Sequence, residues 1–193
     1  MKEKPILFSA PMVRAILDGR KTMTRRVVKP QPYDDDFRVG LYHPTLEDRH
    51  GIYPGPETFG VSNSEWSIKC PYQPGMKLWV RETFNPGNYY PIYKADMPVL
   101  GGGIKWKPSI FMPRAASRID LLIKSVRVER LQDITEEDAI NEGINLRYDK
   151  DEDGLVIYDK RNVEAFKELW ESINGKGSWE KNPFVWVIEF KKI

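Results

Sequence analysis

The stretch RIDLLIKSVRVERLQDITEEDAINEG, residues 118–143, contains the change of periodicity that decides the fold class. Apolar and polar residues alternate over 122–130, which predicts one long, half-buried strand. The pattern then changes, because Thr135 and Asp138 resemble a capping box and Gly143 ends the segment. These signals predict a short helix over 135–142. A long strand that leads into a short acidic helix is therefore the centre of the predicted fold.

The flanking segments predict further strands and two more helices. PMVRAILDG (11–19) predicts a helix because Pro11 suits a first turn and Gly19 ends it. The apolar face of RNVEAFKELWESIN (161–174) predicts an amphipathic helix. Because the order lacks regular βαβ alternation, we expect a mainly β, α+β fold, a small β-barrel with three flanking helices. Further strands are predicted at 4–10, 24–29, 77–84, 91–95, 109–113 and 182–190.

Residues 30–76 interrupt this pattern, since they are rich in proline and glycine and carry isolated aromatic residues. Within them, short strands are expected at 37–42 and 65–69. An irregular stretch of this length inside a small domain is usually a functional loop or an insertion. At about 150 residues per domain, the 193 residues predict a single domain, 1–193, with a long irregular insertion at about 31–70.

The overall composition excludes several classes of protein. Apolar residues make up 40% of the chain and aromatic residues 12%, which is too much for wholesale disorder. No apolar run approaches the roughly 18–20 residues of a membrane span. The N-terminus does not resemble a secretory signal. We therefore expect a cytoplasmic protein without a membrane partner.

Cysteine and histidine usage argues against a metal centre. The single cysteine, Cys70, excludes an internal disulfide and a thiolate zinc cluster, and is expected to be a buried structural thiol. The only histidines, His43 and His50, have no acidic partners at metal-ligand spacing. We therefore predict no metal and no cofactor.

Charge is segregated along the chain. The net charge of +2 and the pI near 8.5 fall short of the pI above about 9 that is typical of a strongly electrostatic nucleic-acid binder. Basic residues nevertheless cluster between Arg14 and Lys29, whereas 133–142 is acidic. Two such regions in one domain either neutralise each other or face a common site.

The segment GRKTMTRR (19–26) carries the sharpest chemical signal. Neighbouring arginines disfavour the ammonium form of Lys21, and more so if the side chain is partly buried. A neutral lysine can act as a base toward a nearby hydroxyl, and the segment contains two. The alternative interpretation is a solvated basic turn without catalytic function.

A second signal is the alternation of aromatic residues and arginines in the middle of the chain. Such a set can stack on a nucleobase and pair with the phosphates of a single strand. Most aromatic residues in strands belong to the core, so we expect only a minority to face a ligand. The set comprises Trp79, Arg81, Tyr93, Trp106, Phe111, Arg114 and Arg118.

The pattern Gly19-x-Lys21-x-x-Thr24-x-Arg26 resembles the signature of the ASCH domain, a PUA-like β-barrel associated with RNA binding. The usual ASCH motif carries Glu at the position of Thr24. A bacterial branch, the 4-acetylcytidine amidohydrolases, carries Thr there, and this chain is similar to that branch at this position. The resemblance implies a PUA-like β-barrel for the domain.

Three further stretches extend the resemblance over most of the chain outside 31–70. PGMKLWVRETF (74–84) is similar to the family's PGD-x-L-W-V-R-E strand, with Met76 where Asp is common. Residues 106–144 closely resemble the long phage and prophage members. Residues 165–190 resemble their C-terminal end.

The amidohydrolase branch implies roles for three residues. Thr24 matches the nucleophile toward the acetyl carbonyl, Lys21 its base, and Glu142 the group that shuttles a proton to the leaving amine or positions the water. An oxyanion donor is expected from Arg26 or from a backbone N–H near residue 22. The residues expected to bind substrate are Arg26, Trp79, Arg81, Glu82, Arg114 and Arg118.

The resemblance thus implies an ASCH-domain protein that binds RNA or modified nucleosides. The first function that it implies is a metal-independent amidohydrolase that deacetylates 4-acetylcytidine. One alternative is a non-catalytic RNA-binding module that uses Arg26, Arg114 and Arg118 on phosphates. Another is a phage accessory protein that binds a host partner through the 31–70 insertion.

Overall fold

The computed structural model describes residues 3–32, 38–42, 45–48, 51–54, 58–62, 67–97, 103–144, 148–150, 156–158 and 162–193. Three α-helices and fourteen strands are assigned in these ranges. The helices are α1 (Ala10–Leu17), α2 (Glu136–Asn141) and α3 (Asn162–Asn174). The strands are β1 (Glu3–Leu7), β2 (Met23–Val27), β3 (Arg38–Tyr42), β4 (Thr45–Asp48), β5 (Gly51–Pro54), β6 (Thr58–Ser62), β7 (Ser67–Lys69), β8 (Lys77–Arg81), β9 (Phe84–Asn85), β10 (Ile92–Tyr93), β11 (Asp120–Arg130), β12 (Tyr148–Lys150), β13 (Val156–Tyr158) and β14 (Phe184–Lys192).

A five-stranded sheet in the order β1-β8-β11-β14-β2 organises the molecule. Strand β1 runs parallel to β8, and the other neighbours are antiparallel. The mainly β, α+β class predicted from the sequence is therefore confirmed. Pairing does not close the sheet into a barrel, because the described residues of β1 and β2 form its two open edges. The edges nevertheless approach, since Arg26 Nη2 donates to the Leu7 carbonyl at 2.8 Å.

Strand β14 is the centre of the core because both of its faces are covered. Trp186, Ile188 and Phe190 pack into one apolar cluster, together with residues of β8, β11 and α1. Val185 and Val187 point the other way, into a second cluster under α2 and α3. A strand buried on both faces needs a nearly continuous apolar run, and FVWVIEF supplies it.

The three helices cover the two faces of the sheet. Helix α1 begins after Ser9 with a proline in its first turn, and it buries Val13 and Ile16 against the first cluster. Helix α2 begins at the predicted cap, where the Thr135 hydroxyl accepts from the Asp138 N–H at 3.1 Å. Helices α2 and α3 pack over the second cluster. The strand-to-helix change of period in 118–143 is therefore confirmed.

One prediction of local structure is wrong and two are partly right. Residues 109–113 form a turn of 3-10 helix, Ser109–Phe111, because Pro108 and Pro113 flank a segment too short for a ladder. Within 31–70, the strands expected at 37–42 and 65–69 are confirmed as β3 and β7, while β4, β5 and β6 were not predicted. The predicted strand at 91–95 reduces to β10, which pairs with β9 and not with β8.

Smaller expectations have mixed outcomes. Cys70 is buried at 1% exposure, and burial raises the pKa of its thiol to about 12, as expected of a structural thiol. His43 and His50 lie outside the described residues. Among the helices that the structure describes, none combines the length and the apolar composition that a membrane crossing requires.

Candidate functional site

The turn after α1 positions Lys21 between two helix ends. The Lys21 N–H donates to the Ala15 carbonyl at 2.9 Å, and the Thr22 N–H donates to the Asn141 carbonyl at 2.9 Å. These bonds join the end of α1 to the end of α2. Gly143 allows the approach, since it has φ +89° and an added Cβ would lie 3.0 Å from Lys21 Cβ.

Lys21 and Glu142 form a buried ion pair at this junction. Lys21 Nζ lies 2.6 Å from Glu142 Oε2, although the residues are 121 positions apart in sequence. The same nitrogen donates to the carbonyls of Glu142 and Met23, each at 2.8 Å. An ammonium has three N–H donors, and these three acceptors satisfy all of them. The pair is therefore held in a single geometry.

The surroundings of Lys21 act on its pKa in opposite directions. Burial is the largest influence and lowers the pKa, because a charged ammonium loses its hydration. The Glu142 carboxylate raises it, and Arg25 and Arg26 lower it further. The net direction is downward from the ordinary value of 10.5. The Lys21 ammonium therefore releases its proton more readily than a lysine in water does.

Arg25 extends the pair into a cluster of alternating charges. Its Nη1 lies 3.4 Å from Glu142 Oε1, and its Nη2 donates to Asp138 at 2.7 Å and to Glu129. Arg127 contacts Asp138 and Glu129 from the other side. Residues of the basic segment 14–29 and of the acidic segment 133–142 therefore neutralise each other, and they do so at one common site.

A cavity of about 400 Å³ opens beside this cluster. Glu142 and Thr24 both line it. Thr24 is 3% exposed, and within the described part of the chain its hydroxyl has no recorded hydrogen-bond partner. A hydroxyl without a partner and a buried carboxylate thus face the same space. The other lining residues are Leu7, Phe8, Ser9, Met12, Arg25, Arg26, Val27, Thr83, Ser109, Phe166, Leu169, Trp170, Ile173 and Asn174.

The cavity lies in the gap between the two open edges of the sheet. On one side is β2, and on the other are Leu7–Ser9 and α1; α3 covers the remaining wall. Two hydrogen bonds show which residues of β2 face β14. Phe190 N–H donates to the Thr22 carbonyl, and Val28 N–H donates to the Phe184 carbonyl. In this register the even-numbered residues of β2 form the hydrogen bonds to β14. In an antiparallel ladder the odd residues then present their backbone groups at the open edge. The Arg25 N–H is one of them.

The structure brings four predicted site residues together. Thr24, Arg26 and Glu142 line the cavity, and Lys21 lies directly behind Glu142. Lys21 itself does not line the cavity. Its Nζ is enclosed by Glu142 and Met23, and the ring of Phe8 lies 5.5 Å away.

Trp79, Arg81 and Arg114 are not among the residues that line the cavity. Both guanidinium groups lie near the Trp79 ring, at 5.4 Å for Arg81 and 5.8 Å for Arg114. Arg114 is neutralised by Glu3 and Asp120. Arg81 pairs with Leu7 across β1 and β8, and its Nη2 donates to the Ile110 carbonyl, so Arg81 lies beside the cavity wall.

Glu82 and Arg118 also lie outside the cavity lining, and they bind each other. Arg118 Nε donates to Glu82 Oε1 at 2.8 Å, and its Nη1 donates to Asp96 at 2.8 Å. The guanidinium lies 3.9 Å from the Tyr93 ring centre. Burial raises the pKa of Glu82, and Arg118 opposes that rise. These side chains form a structural ion cluster.

Sequence reasoning missed several residues that build the site. Arg25 was only one of several basic residues in its segment, and nothing local distinguishes the arginine that becomes buried. Phe8 and Trp170 form part of the apolar wall of the cavity. In the sequence they look like ordinary core residues of a strand and a helix. The sequence offered one signal for the charged cluster, namely the opposite charges of Arg127 and Glu129. Alternate residues of a strand share a face, so these two side chains were placed to join one cluster.

Comparison with known proteins returned no match: no family model, no curated protein and no solved structure matches this chain.

Proposed function

We propose that this chain is an ASCH-type protein with a PUA-like barrel, and that it hydrolyses the acyl amide of an N4-acylated cytidine without a metal ion. One observation carries the proposal: the hydroxyl of Thr24 and the carboxylate of Glu142 line one cavity, with Lys21 bonded to Glu142 from behind. The near approach of β1 and β2 supports the barrel.

The size and lining of the cavity suit a nucleoside. Ligand cavities of about 300–1,000 Å³ hold small molecules, and this cavity of about 400 Å³ lies within that range. Phe8 and Trp170 supply aromatic wall against which a pyrimidine ring can pack. The polar groups proposed for the chemistry, Thr24 and Glu142, lie on β2 and at the end of α2.

The proposed first half-reaction forms an ester on Thr24. The Thr24 oxygen attacks the acetyl carbonyl carbon while its proton passes to the Glu142 carboxylate, which the Lys21 ammonium holds in position. The tetrahedral intermediate collapses as the bond from carbon to N4 breaks. The leaving N4 takes the proton back from the pair, so cytidine departs and acetyl-threonine remains.

Water completes the cycle in the second half-reaction. The Glu142–Lys21 pair accepts one proton from the attacking water, and the hydroxyl carbon–oxygen bond forms as the ester bond to Thr24 breaks. The Thr24 oxygen recovers the proton from the pair, and the product leaves as acetic acid, which ionises to acetate in solution. The Lys21 ammonium fixes the position of the Glu142 carboxylate, which accepts the proton at the start of each half-reaction.

The Arg25 backbone N–H is the proposed donor to the developing oxyanion. It directly follows Thr24 in sequence and points toward the open edge of β2. A fixed N–H at such a position stabilises negative charge without reorganisation. The two donors expected from sequence are already engaged, since Arg26 Nη2 donates to the Leu7 carbonyl and the Thr22 N–H donates to the Asn141 carbonyl.

The direct test is to incubate the protein with 4-acetylcytidine and to measure cytidine and acetate by chromatography. Thr24→Ala removes the nucleophile but little contact area, so we expect turnover to fall by orders of magnitude with nucleoside binding retained. Thr24→Ser, which keeps a hydroxyl, is the matched control and should retain measurable turnover. Thermal melting of all three proteins checks that each is folded.

A different result would support the RNA-binding alternative. In that case the wild type releases no cytidine, and Thr24→Ala costs at most one neutral hydrogen bond, about 0.5–1.5 kcal/mol of binding. The contacts of Arg114 and Arg118 weigh against that alternative, since both are neutralised by carboxylates. Undetectable cytidine release from folded wild-type protein would overturn the hydrolase proposal.

A further inference from the structure

The two oxygens of the Glu142 carboxylate have different partners. Oε2 lies 2.6 Å from Lys21 Nζ, whereas Oε1 lies 3.4 Å from Arg25 Nη1. The first contact is a short, charge-assisted hydrogen bond, and the second is long and weak. Lys21 does not line the cavity, so Oε2 is bound on the side away from it. Oε1 is therefore the oxygen that retains the capacity to accept a further proton.

Arg25, the partner of Oε1, is held by carboxylates on two other elements. Its Nη2 donates to Asp138 Oδ2 at 2.7 Å and also to Glu129, and its Nε donates to Glu129 at 3.2 Å. Glu129 lies on β11 and Asp138 on α2. The contact with Glu142 is longer than each of these. The position of the Arg25 guanidinium is therefore fixed by groups other than Glu142.

Helix α2 places Asp138 and Glu142 on the same face. The two residues are four positions apart, and the Glu142 N–H donates to the Asp138 carbonyl at 2.8 Å. Arg25 bridges their carboxylates, since Nη2 contacts Asp138 and Nη1 contacts Glu142. Glu142 is the C-cap residue of a helix of only six residues, and helix ends fray. The bridge therefore fixes a carboxylate at a place where the backbone alone restrains it least.

Arg127 supports Asp138 from the outer side of the cluster. Its Nη2 donates to the two carboxylate oxygens of Asp138 at 3.1 and 3.2 Å, and its Nε donates to Glu129 at 3.0 Å. The Arg127 side chain is 38% exposed, whereas that of Arg25 is fully buried. A row of contacts thus leads from the surface to the cavity, in the order Arg127, Asp138, Arg25 and Glu142.

We propose that Arg25 and Asp138 are positioning residues: Asp138 fixes Arg25, and Arg25 keeps Oε1 of Glu142 directed toward the cavity for the proton transfers. The proposal rests on the function proposed above. The last torsion of a glutamate is broad, so a contact at Oε2 alone leaves the direction of Oε1 unrestrained. A guanidinium keeps its charge and cannot be deprotonated, so Arg25 orients the carboxylate without competing for the proton.

The test measures kcat and KM for 4-acetylcytidine in variants of Asp138. Asp138→Asn keeps the size of the side chain and removes the charge that fixes Arg25. Because a small misplacement of a reacting group is costly, we expect kcat to fall about 10–100-fold with KM unchanged. Asp138→Glu, which keeps the carboxylate, should retain more of kcat than Asp138→Asn. Glu137→Gln removes an exposed charge from the same helix turn and should keep the full kcat.

Two further measurements separate positioning from a loss of folded protein. Isothermal titration calorimetry with cytidine counts the binding-competent sites, so that kcat refers to folded protein alone. Arg127→Gln provides a milder variant, because Arg127 is partly exposed and lies one contact further from Glu142. Its kcat should fall by less than that of Asp138→Asn, again with KM unchanged. If Asp138→Asn does not fold, an unchanged kcat in Arg127→Gln overturns the proposal.

The outcomes separate this proposal from the hydrolase proposal. A folded Asp138→Asn protein with the kcat of the wild type overturns the positioning, although 4-acetylcytidine is still hydrolysed. If the wild type releases no cytidine, the hydrolase proposal fails, and crystal structures of the wild type and Asp138→Asn test the positioning. The contact between Arg25 Nη1 and Glu142 Oε1 should then be lost in the variant while the fold is retained. An unchanged contact overturns the positioning.

Discussion

Two clusters of charged side chains in this molecule have similar composition and different surroundings. The first, at the junction of α2 and β2, encloses Lys21 and Arg25 at side-chain exposures of 0%. The second, along β8 and the start of β11, holds Arg114 and Arg118 at 39% and 25%. Only the first borders the cavity through its own residues. The comparison teaches that burial beside an open space, and not residue type, marks the candidate site.

The largest difference between the two clusters should be in stability. Glu142→Gln leaves Lys21 without its counter-charge in a dry environment, and breaking such a pair costs about 3–5 kcal/mol of the free energy of unfolding. Urea denaturation at neutral pH measures the loss. The double variant Lys21→Met with Glu142→Gln should recover part of it, because no unpaired charge remains. A loss below about 1 kcal/mol in the single variant contradicts the buried pair.

The buried cluster should also make stability depend on alkaline pH. The folded-state pKa of Lys21 is lowered below 10.5, so between that lowered value and 10.5 the unfolded chain binds more protons than the folded one. The free energy of unfolding therefore rises with pH across this interval, by up to about 1.4 kcal/mol per pH unit. Urea titrations at several pH values measure this slope. In Lys21→Met the contribution should vanish, and an unchanged slope in that variant would assign it to another group.

The smallest effect is expected at the exposed cluster. Arg114→Gln removes ion pairs to Glu3 and Asp120 that water and salt screen, so we expect a loss of about 0–1 kcal/mol in the free energy of unfolding. Urea denaturation in low salt and in 1 M salt, about the concentration at which surface charges are fully screened, measures it. The loss should shrink in high salt. A loss of stability as large as that of Glu142→Gln would contradict the claim that the exposed cluster contributes less to the free energy of unfolding than the buried one.

The local structure was largely predictable because periodicity reports it directly. The alternation over 122–130 predicted β11, and Thr135 predicted the start of α2, since both signals are local. The prediction for 109–113 was wrong because its apolar content suggested a strand, while the flanking prolines prevent a ladder. Strands within 31–70 were underpredicted, since proline and glycine obscured the alternation.

The site was partly predictable for a different reason. The spacing of Lys21 and Thr24 drew attention to the turn before β2, and the resemblance to the ASCH signature pointed to Glu142 far along the chain. The structure brings these residues together. It separates Trp79, Arg114 and Arg118 from the cavity, although in sequence they looked equally suited to a ligand. Nothing in the neighbourhood of an arginine in sequence reveals which carboxylate will reach it.

By itself, the sequence determined the five strands of the main sheet and the three helices, and it showed that one basic and one acidic segment exist to be matched. Hydrophobic period and capping residues act within a few positions, so they can be read along the chain. Only the tertiary structure decided that Lys21 and Arg25 are buried against Glu142 and that Arg114 and Arg118 are neutralised at the surface. The reason is that burial and charge pairing depend on residues brought together by the fold from distant parts of the chain.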